Sequence, residues 1–148
     1  MVTYTIYNSN LKPKVSEKEE IVNFLHTHLD IYGDPKEAIL KCLEFATHES
    51  IPSLGGFALL LKEKGEIQGA SIVNKTGMSG YIPENILVYI AVHKDARGKG
   101  IGKKLMLKAM ELAEGDVALH VEKDNPAIKL YEKLGFEAKY LEMRHKKT

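Results

Sequence analysis

The chain has 148 residues, 44% hydrophobic and 28% charged, with a formal net charge of +1 at pH 7. That length suits one domain over residues 1–148 with a real core, and the composition is ordinary for a soluble globular protein. A charge so near zero argues against nucleic acid as a partner, and no apolar run approaches the length that spans a bilayer, so no membrane partner is expected either.

In chain order, Thr3–Tyr7 alternates and predicts a strand. Ser16-Glu17-Lys18-Glu19 reads as a capping box, which starts a helix at Ser16 with Ile21, Phe24, Leu25, His28 and Leu29 on one face. His26 and His28 point in different directions on it, and no cluster has zinc spacing, so no metal is expected. Gly33 ends this helix. Asp34 as cap and Pro35 in the first turn open a second one, whose apolar positions are Ala38, Ile39, Cys42, Leu43 and Ala46. Cys42 is the sole cysteine. Its pattern is that of a buried small hydrophobe, and a single thiol suits a reducing compartment. Met1–Asn10 lacks the basic start and apolar block of a secretion signal, so the cytoplasm is the expected location.

Ile51–Gly56 reads as a loop, Phe57–Lys62 and Ile67–Val73 as strands joined by a hairpin turn at Lys64-Gly65, and Thr76–Pro83 as a second loop. Ile86–Val92 is a short run rich in β-branched and aromatic residues, hence a buried strand. After it, Gly98, Gly100 and Gly102 alternate in a polar turn, and Ile101, Leu105, Ala109 and Leu112 recur at helical spacing up to about Gly115. Val117–Val121 is the next strand. Asn125-Pro126 opens a short helix that Gly135 ends, and Phe136–Arg144 is a last strand. The order β-α-α-β-β-β-α-β-α-β makes the chain α+β, a mixed sheet with helices on both faces.

The turn after Ile86–Val92 carries the chemistry. Its glycines let backbone N–H groups converge, and the first N–H groups of the following helix have no partner within it, which suits a phosphate or pyrophosphate. Lys94, Arg97, Lys99, Lys103, Lys104 and Lys108 face only Asp95 here. Neither the nucleoside-triphosphatase loop nor the dinucleotide fingerprint fits, since Lys104 and Lys103 stand where Ser/Thr and a third glycine belong. Arg97-x-x-Gly100-x-Gly102 does fit [Q/R]-x-x-G-x-[G/A], and Asp124-Asn125-Pro126-Ala127 through Tyr131 to Gly135-Phe136 follows N-x-x-A-x-x-x-Y-x-x-x-G-F. Together and in this order, the two motifs resemble the GCN5-related N-acetyltransferases.

That resemblance implies the acyl-CoA N-acyltransferase fold, with a central mixed, mostly antiparallel sheet whose strands Ile86–Val92 and Val117–Val121 splay apart. It implies acetyl-CoA as co-substrate, bound by Ile90, Ala91, Val92, Arg97, Gly98, Lys99, Gly100, Ile101, Gly102, Lys103, Asn125 and Tyr131. The acceptor is then a small amine or a peptide amine, the activity direct acetyl transfer, and a homodimer one possible assembly. A non-catalytic acyl-CoA sensor on the same fold is the alternative. Tyr131 takes the family's position for the acid that protonates the leaving thiolate, and an N–H at Ala91 or Val92 would stabilise the oxyanion. For the base, Ile86 stands where many members have glutamate. That leaves Glu84, two residues earlier, or His120 on the next strand; taking Asp124 as the motif's asparagine would put Leu119 there instead. Residues 15–50 carry eight acids and three bases and residues 93–148 thirteen bases and nine acids, which would suit a cationic acceptor meeting an anionic cofactor.

Overall fold

The computed structural model describes residues 1–50 and 52–147; Ile51, at the head of the loop expected at Ile51–Gly56, and Thr148 lie outside the described residues. Five strands lie in chain order across one sheet: β1 (Val2–Tyr7), β2 (Gly56–Glu63), β3 (Glu66–Lys75), β4 (Asn85–Val92) and β5 (Val117–Leu119). The first four pair antiparallel; β4 and β5 run parallel, as two strands joined through a crossover helix must. Lys64 and Gly65 both have positive φ, 54° and 79°, the two-residue turn whose twist matches a hairpin.

The helices are α1 (Val15–Leu29), α2 (Lys36–Ala46), α3 (Ile101–Leu112) and α4 (Ile128–Lys133). One core joins α1 and α2 to one face of the sheet, through Ile21, Leu25, Ile39 and Leu43 against Ala58, Leu60, Ala70 and Ile72. A second core joins α3 and α4 to the other face, through Ile101, Leu105, Met106 and Tyr131 against Leu59, Leu61, Val73 and Leu87. This is the acyl-CoA N-acyltransferase arrangement expected above. The alternation of β2 and β3 between these cores follows from the two-residue strand period. α3 lies close on β3 because Gly69 has no side chain: a Cβ there would stand 2.5 Å from Leu105 Cδ1.

Four expectations are corrected. The first helix begins at Val15, with Lys14 as N-cap. Its capping carboxylate is Glu17, which accepts the Lys14 N–H at 2.7 Å and the Tyr7 hydroxyl at 2.9 Å, so a contact with β1 displaces the local Ser16–Glu19 signal. The second helix starts one residue later than expected, and Asp34 binds the sheet instead of capping it. β5 stops at Leu119, two residues short of Val121. Phe136–Arg144 is not a strand: the sheet ends at β5. Phe136 still packs on the second core, but Tyr140, Leu141 and Met143 are 84%, 81% and 91% exposed, so the rest of this alternating segment leaves the core and does not pair with β5.

Leu105 is fully buried between α3 and β3. Leu105→Ala should therefore lower unfolding free energy by about 2–5 kcal/mol in urea denaturation; a loss under about 1 kcal/mol would mean that this helix face is not the second core.

Candidate functional site

The site starts from a slip in the ladder. Between Ile72–Tyr89 and Val73–Leu87 the β3–β4 register shifts, which leaves Val88 as a bulge. β5 pairs with β4 only at Asn85, Ile86 and Leu87, so the two strands part at the bulge. His93 N–H donates to the Gln68 C=O at 2.8 Å. Antiparallel partners alternate, so Ala91 and Tyr89 also turn their backbone groups toward β3, whereas Ile90 and Val92 turn theirs to the edge that β5 has left. Of the two N–H groups named from the sequence, then, Val92's faces the open edge and Ala91's belongs to the β3 ladder.

The glycine turn lies just beyond this edge. A 3-10 turn (Lys94–Ala96) leads to Gly98 and Gly100, both left-handed at φ 81° and 79°, with nothing within 4 Å of a Cβ added at either. The backbone shape, not crowding, calls for glycine there. Gly100 caps α3, and Lys104 N–H is the first to close a helical turn, onto the Gly100 C=O at 3.1 Å. The N–H groups of Ile101, Gly102 and Lys103 precede it without an intrahelical partner, at the positive end of the helix dipole. Lys99, Lys103 and Lys104 are exposed around them. The Arg97 guanidinium donates to the His28 C=O at 2.9 Å and ties the turn to the end of α1. A pyrophosphate fits the free amides and the lysines.

The pieces converge at Gly102, where an added Cβ would stand 3.3 Å from Leu130 on α4 and 3.7 Å from Val92 on β4. Tyr131, the next residue of α4, is buried, and burial raises its phenol above the ordinary value. Its hydroxyl has no hydrogen-bond partner among the described residues. Asn125 Oδ1 accepts the Ala127 N–H at 2.9 Å, so the side chain organises the turn into α4.

The two candidate bases part company. Glu84 accepts the Asp116 N–H at 2.9 Å, which holds its carboxyl below the usual range, and it packs against Gly115 where β4 and β5 are still paired. It does not stand on the open edge. His120 follows directly on β5, exposed, with no side-chain hydrogen bond among the described residues. Cys42, pushed up to about 12 by burial, is no nucleophile.

Two contacts escaped the sequence. Tyr89 OH donates to Asp34 at 2.5 Å, pinning the α1–α2 connection over β4. Burial is the larger cause of the rise in the Tyr89 pKa, ahead of this bond. His28 and His93 stack with ring centroids 4.3 Å apart beside Phe24. Neither pair shows in a linear pattern, because 55 residues separate the first and the second joins a helix end to a strand end. His26, Thr27, Asp30, Gly33, Asp34 and Pro35 line an open depression at this connection. Tyr32 OH reaches the Asp124 C=O at 3.4 Å on its other side.

A splayed parallel pair, an amide-lined glycine turn at a helix start and a buried tyrosine behind it define an acyl-CoA N-acyltransferase fold. The chain belongs to the GNAT acetyltransferase family: the model described as the acetyltransferase (GNAT) domain matches residues 55–138, more than half of the chain. Membership makes acetyl-CoA the co-substrate. No curated protein gives a significant sequence match. Solved structures agree in fold. The aminoglycoside N-acetyltransferase AAC(6')-Iy, in complex with CoA, superposes with TM-score 0.70 at 16% identity, covering 99% of this chain and 96% of its own. A transcriptional regulator from Bacillus halodurans C-125 superposes at 0.68 with 24% identity, covering 97% and 99%. A ribosomal-protein-alanine N-acetyltransferase from Brucella melitensis biovar Abortus 2308 superposes at 0.64 with 20% identity, covering 99% of each. Among the described residues no helix is long and apolar enough to cross a membrane.

Gly100→Glu puts a β-carbon into a left-handed position and a negative charge among the free amides. Isothermal titration should find no acetyl-CoA binding to a variant that still folds; wild-type affinity would remove the turn from the cofactor site.

Proposed function

We propose that the chain is a cytoplasmic N-acetyltransferase that moves the acetyl group of acetyl-CoA directly to a primary amine. The observation that carries this is the meeting of the open β4 edge, the start of α3 and α4 around Gly102. It sets the strand edge that carries the Val92 N–H beside the amides at the start of α3, and Tyr131 follows Leu130 on the helix that packs there.

Transfer forms a C–N bond and breaks a C–S bond. Val92 N–H meets the negative charge that grows on the carbonyl oxygen. Ile90 offers its backbone groups to the amide-bearing arm of the donor, and Gly98 to Lys103 hold the diphosphate. Tyr131 gives a proton to the departing sulfur. A phenol near 10 faces a thiolate near 8.5, so this transfer is uphill by about 2 kcal/mol at the ordinary values, and burial steepens it. The proton therefore moves late, as the C–S bond breaks, and the phenol stays protonated throughout the physiological range. The amine loses a proton to His120, directly or through water.

The acceptor is a cationic amine: a protein N-terminus, a lysine, a polyamine or a smaller relative. Asp30 and Asp34 line the depression at the α1–α2 connection, and Tyr32 of that connection reaches the turn before α4, where Asp124 and Glu122 lie close enough to raise its pKa, after burial itself. Carboxylates on both banks favour a positive substrate. The alternative, an acyl-CoA sensor without turnover, draws on Ile86 at the family's glutamate position and on the engagement of Glu84 with Asp116.

Tyr131→Phe should cut kcat on a responsive amine by about 10²-fold or more while leaving acetyl-CoA affinity within about twofold, as loss of a general acid does. Release of free CoA thiol across a panel of amines is the readout. Unchanged kcat would take Tyr131 out of the mechanism, and binding without product on any amine would favour the sensor.

A further inference from the structure

The glycine turn is entered through a pair of histidines that the transfer chemistry does not use. His28, in the last turn of α1, lies 4.5 Å from the Phe24 ring and 4.3 Å from the His93 ring, centroid to centroid. His93 follows β4 directly and is fastened by its own N–H to the Gln68 C=O. Both imidazoles then hold the turn. His28 Nδ1 accepts the Lys94 N–H at 3.2 Å, and His93 Nδ1 accepts the Asp95 N–H at 3.1 Å. Arg97 adds its bond to the His28 C=O. Three anchors, at Lys94, Asp95 and Arg97, therefore precede Gly98, and two of them need an unprotonated Nδ1.

An imidazole that accepts at Nδ1 carries its proton on Nε2 when neutral. A proton on Nδ1 turns the acceptor into a second donor facing a backbone N–H. It also adds positive charge where Lys94, Arg97 and the neighbouring ring already stand and only Asp95 compensates. The remaining neighbours, Phe24 from α1 and Gln68 from β3, are uncharged. Among the described residues no third ligand joins the pair to make a metal site.

We propose that His28 and His93 are positioning residues for the cofactor loop, and that protonating them releases the Lys94–Arg97 turn and weakens acetyl-CoA binding. The inference rests on the reading of the glycine turn as the pyrophosphate site. Burial holds the His28 pKa below its ordinary value, with the His93, Arg97 and Lys94 charges acting the same way. An imidazole of lowered pKa in the fold is protonated more readily once released. The closed turn therefore keeps its full stability above about pH 6.5 and loses it as pH falls below that.

The test compares wild type with the His28→Asn/His93→Asn double variant, whose side-chain oxygens can take the Nδ1 positions without titrating. Acetyl-CoA dissociation constants are measured for both by titration calorimetry, and melting temperatures verify folding at each pH. The ratio of wild-type to variant Kd removes the ionisation of the cofactor itself. It should be within about twofold at pH 7.5. At pH 5.5 it should rise about tenfold, as when a tenth of the molecules keep a competent turn. His28→Ala/His93→Ala, which removes both acceptors, should bind weakly at either pH.

A flat ratio, or tighter wild-type binding at pH 5.5 through simple charge attraction, would overturn the inference. So would wild-type affinity in the alanine variant. NMR separates this from failure of the underlying reading. Lys94 and Asp95 amide signals that follow a histidine titration, with no acetyl-CoA binding at any pH, would keep the anchors and refute the cofactor role of the turn. Amide signals indifferent to pH would refute the anchors.

Discussion

Much of the architecture depends on one interruption of backbone pairing. Parallel β4 and β5 share three residue pairs and then separate at the Val88 bulge. Beyond that point Ile90 and Val92 present N–H and C=O groups with no strand opposite. A buried backbone group left unpaired costs about 1–3 kcal/mol, so folds rarely keep such an edge unless water or a ligand meets it. The bulge also sets the direction in which β4 ends, and hence where the glycine turn and α3 begin. Gly69 lets α3 settle onto β3, Gly102 lets its first turn approach Val92 and Leu130, and α4 brings Tyr131 in behind. Each of these packing choices would be unremarkable alone; together they set amides and lysines beside an open strand edge, with α4 packed against the start of α3.

The opposite face of the sheet does a different job. α1 and α2 bury their apolar sides on it, and the connection between them is fastened at three places. Tyr89 holds Asp34, Tyr32 touches the turn before α4, and His28 with Arg97 holds the entry to the glycine turn. Of the acids in the first part of the chain, Asp30 and Asp34 lie on this connection, beside the basic turn that His28 holds, whereas Glu44 and Glu49 pair with Lys18 and Glu17 caps α1.

The parts of this that were legible in the sequence are those that local physics decides. The Lys64-Gly65 hairpin, the glycine turn, the periodicity of α3 and the Gly135 stop of α4 each follow from a few adjacent residues. Gly135 is left-handed at φ 97°, as a helix stop of that kind requires. What was not legible depends on distant partners. The start of α1 moved because Tyr7 recruits Glu17. Glu84 looked available as a base because nothing nearby in sequence reveals the Asp116 amide. Phe136–Arg144 alternates like a strand but does not join the open edge of β5, and a bulge at Val88 leaves no mark in a run of apolar residues. The choice between Ala91 and Val92 also waited on register, since one residue of slip exchanges ladder-facing for edge-facing amides.

The central claim is that the open edge and the glycine turn form one acyl-CoA site. Thermal melting of the wild-type chain, with acetyl-CoA, CoA or ATP at equal concentration, addresses it most directly. A ligand at 100 times its Kd stabilises a fold by about 2.7 kcal/mol, which is a rise of about 5–10 °C for a chain of this size. Such a rise with both CoA compounds and little or none with ATP is the expected result. An equal rise with ATP would reduce the turn to a general phosphate site, and no rise with acetyl-CoA would contradict the account.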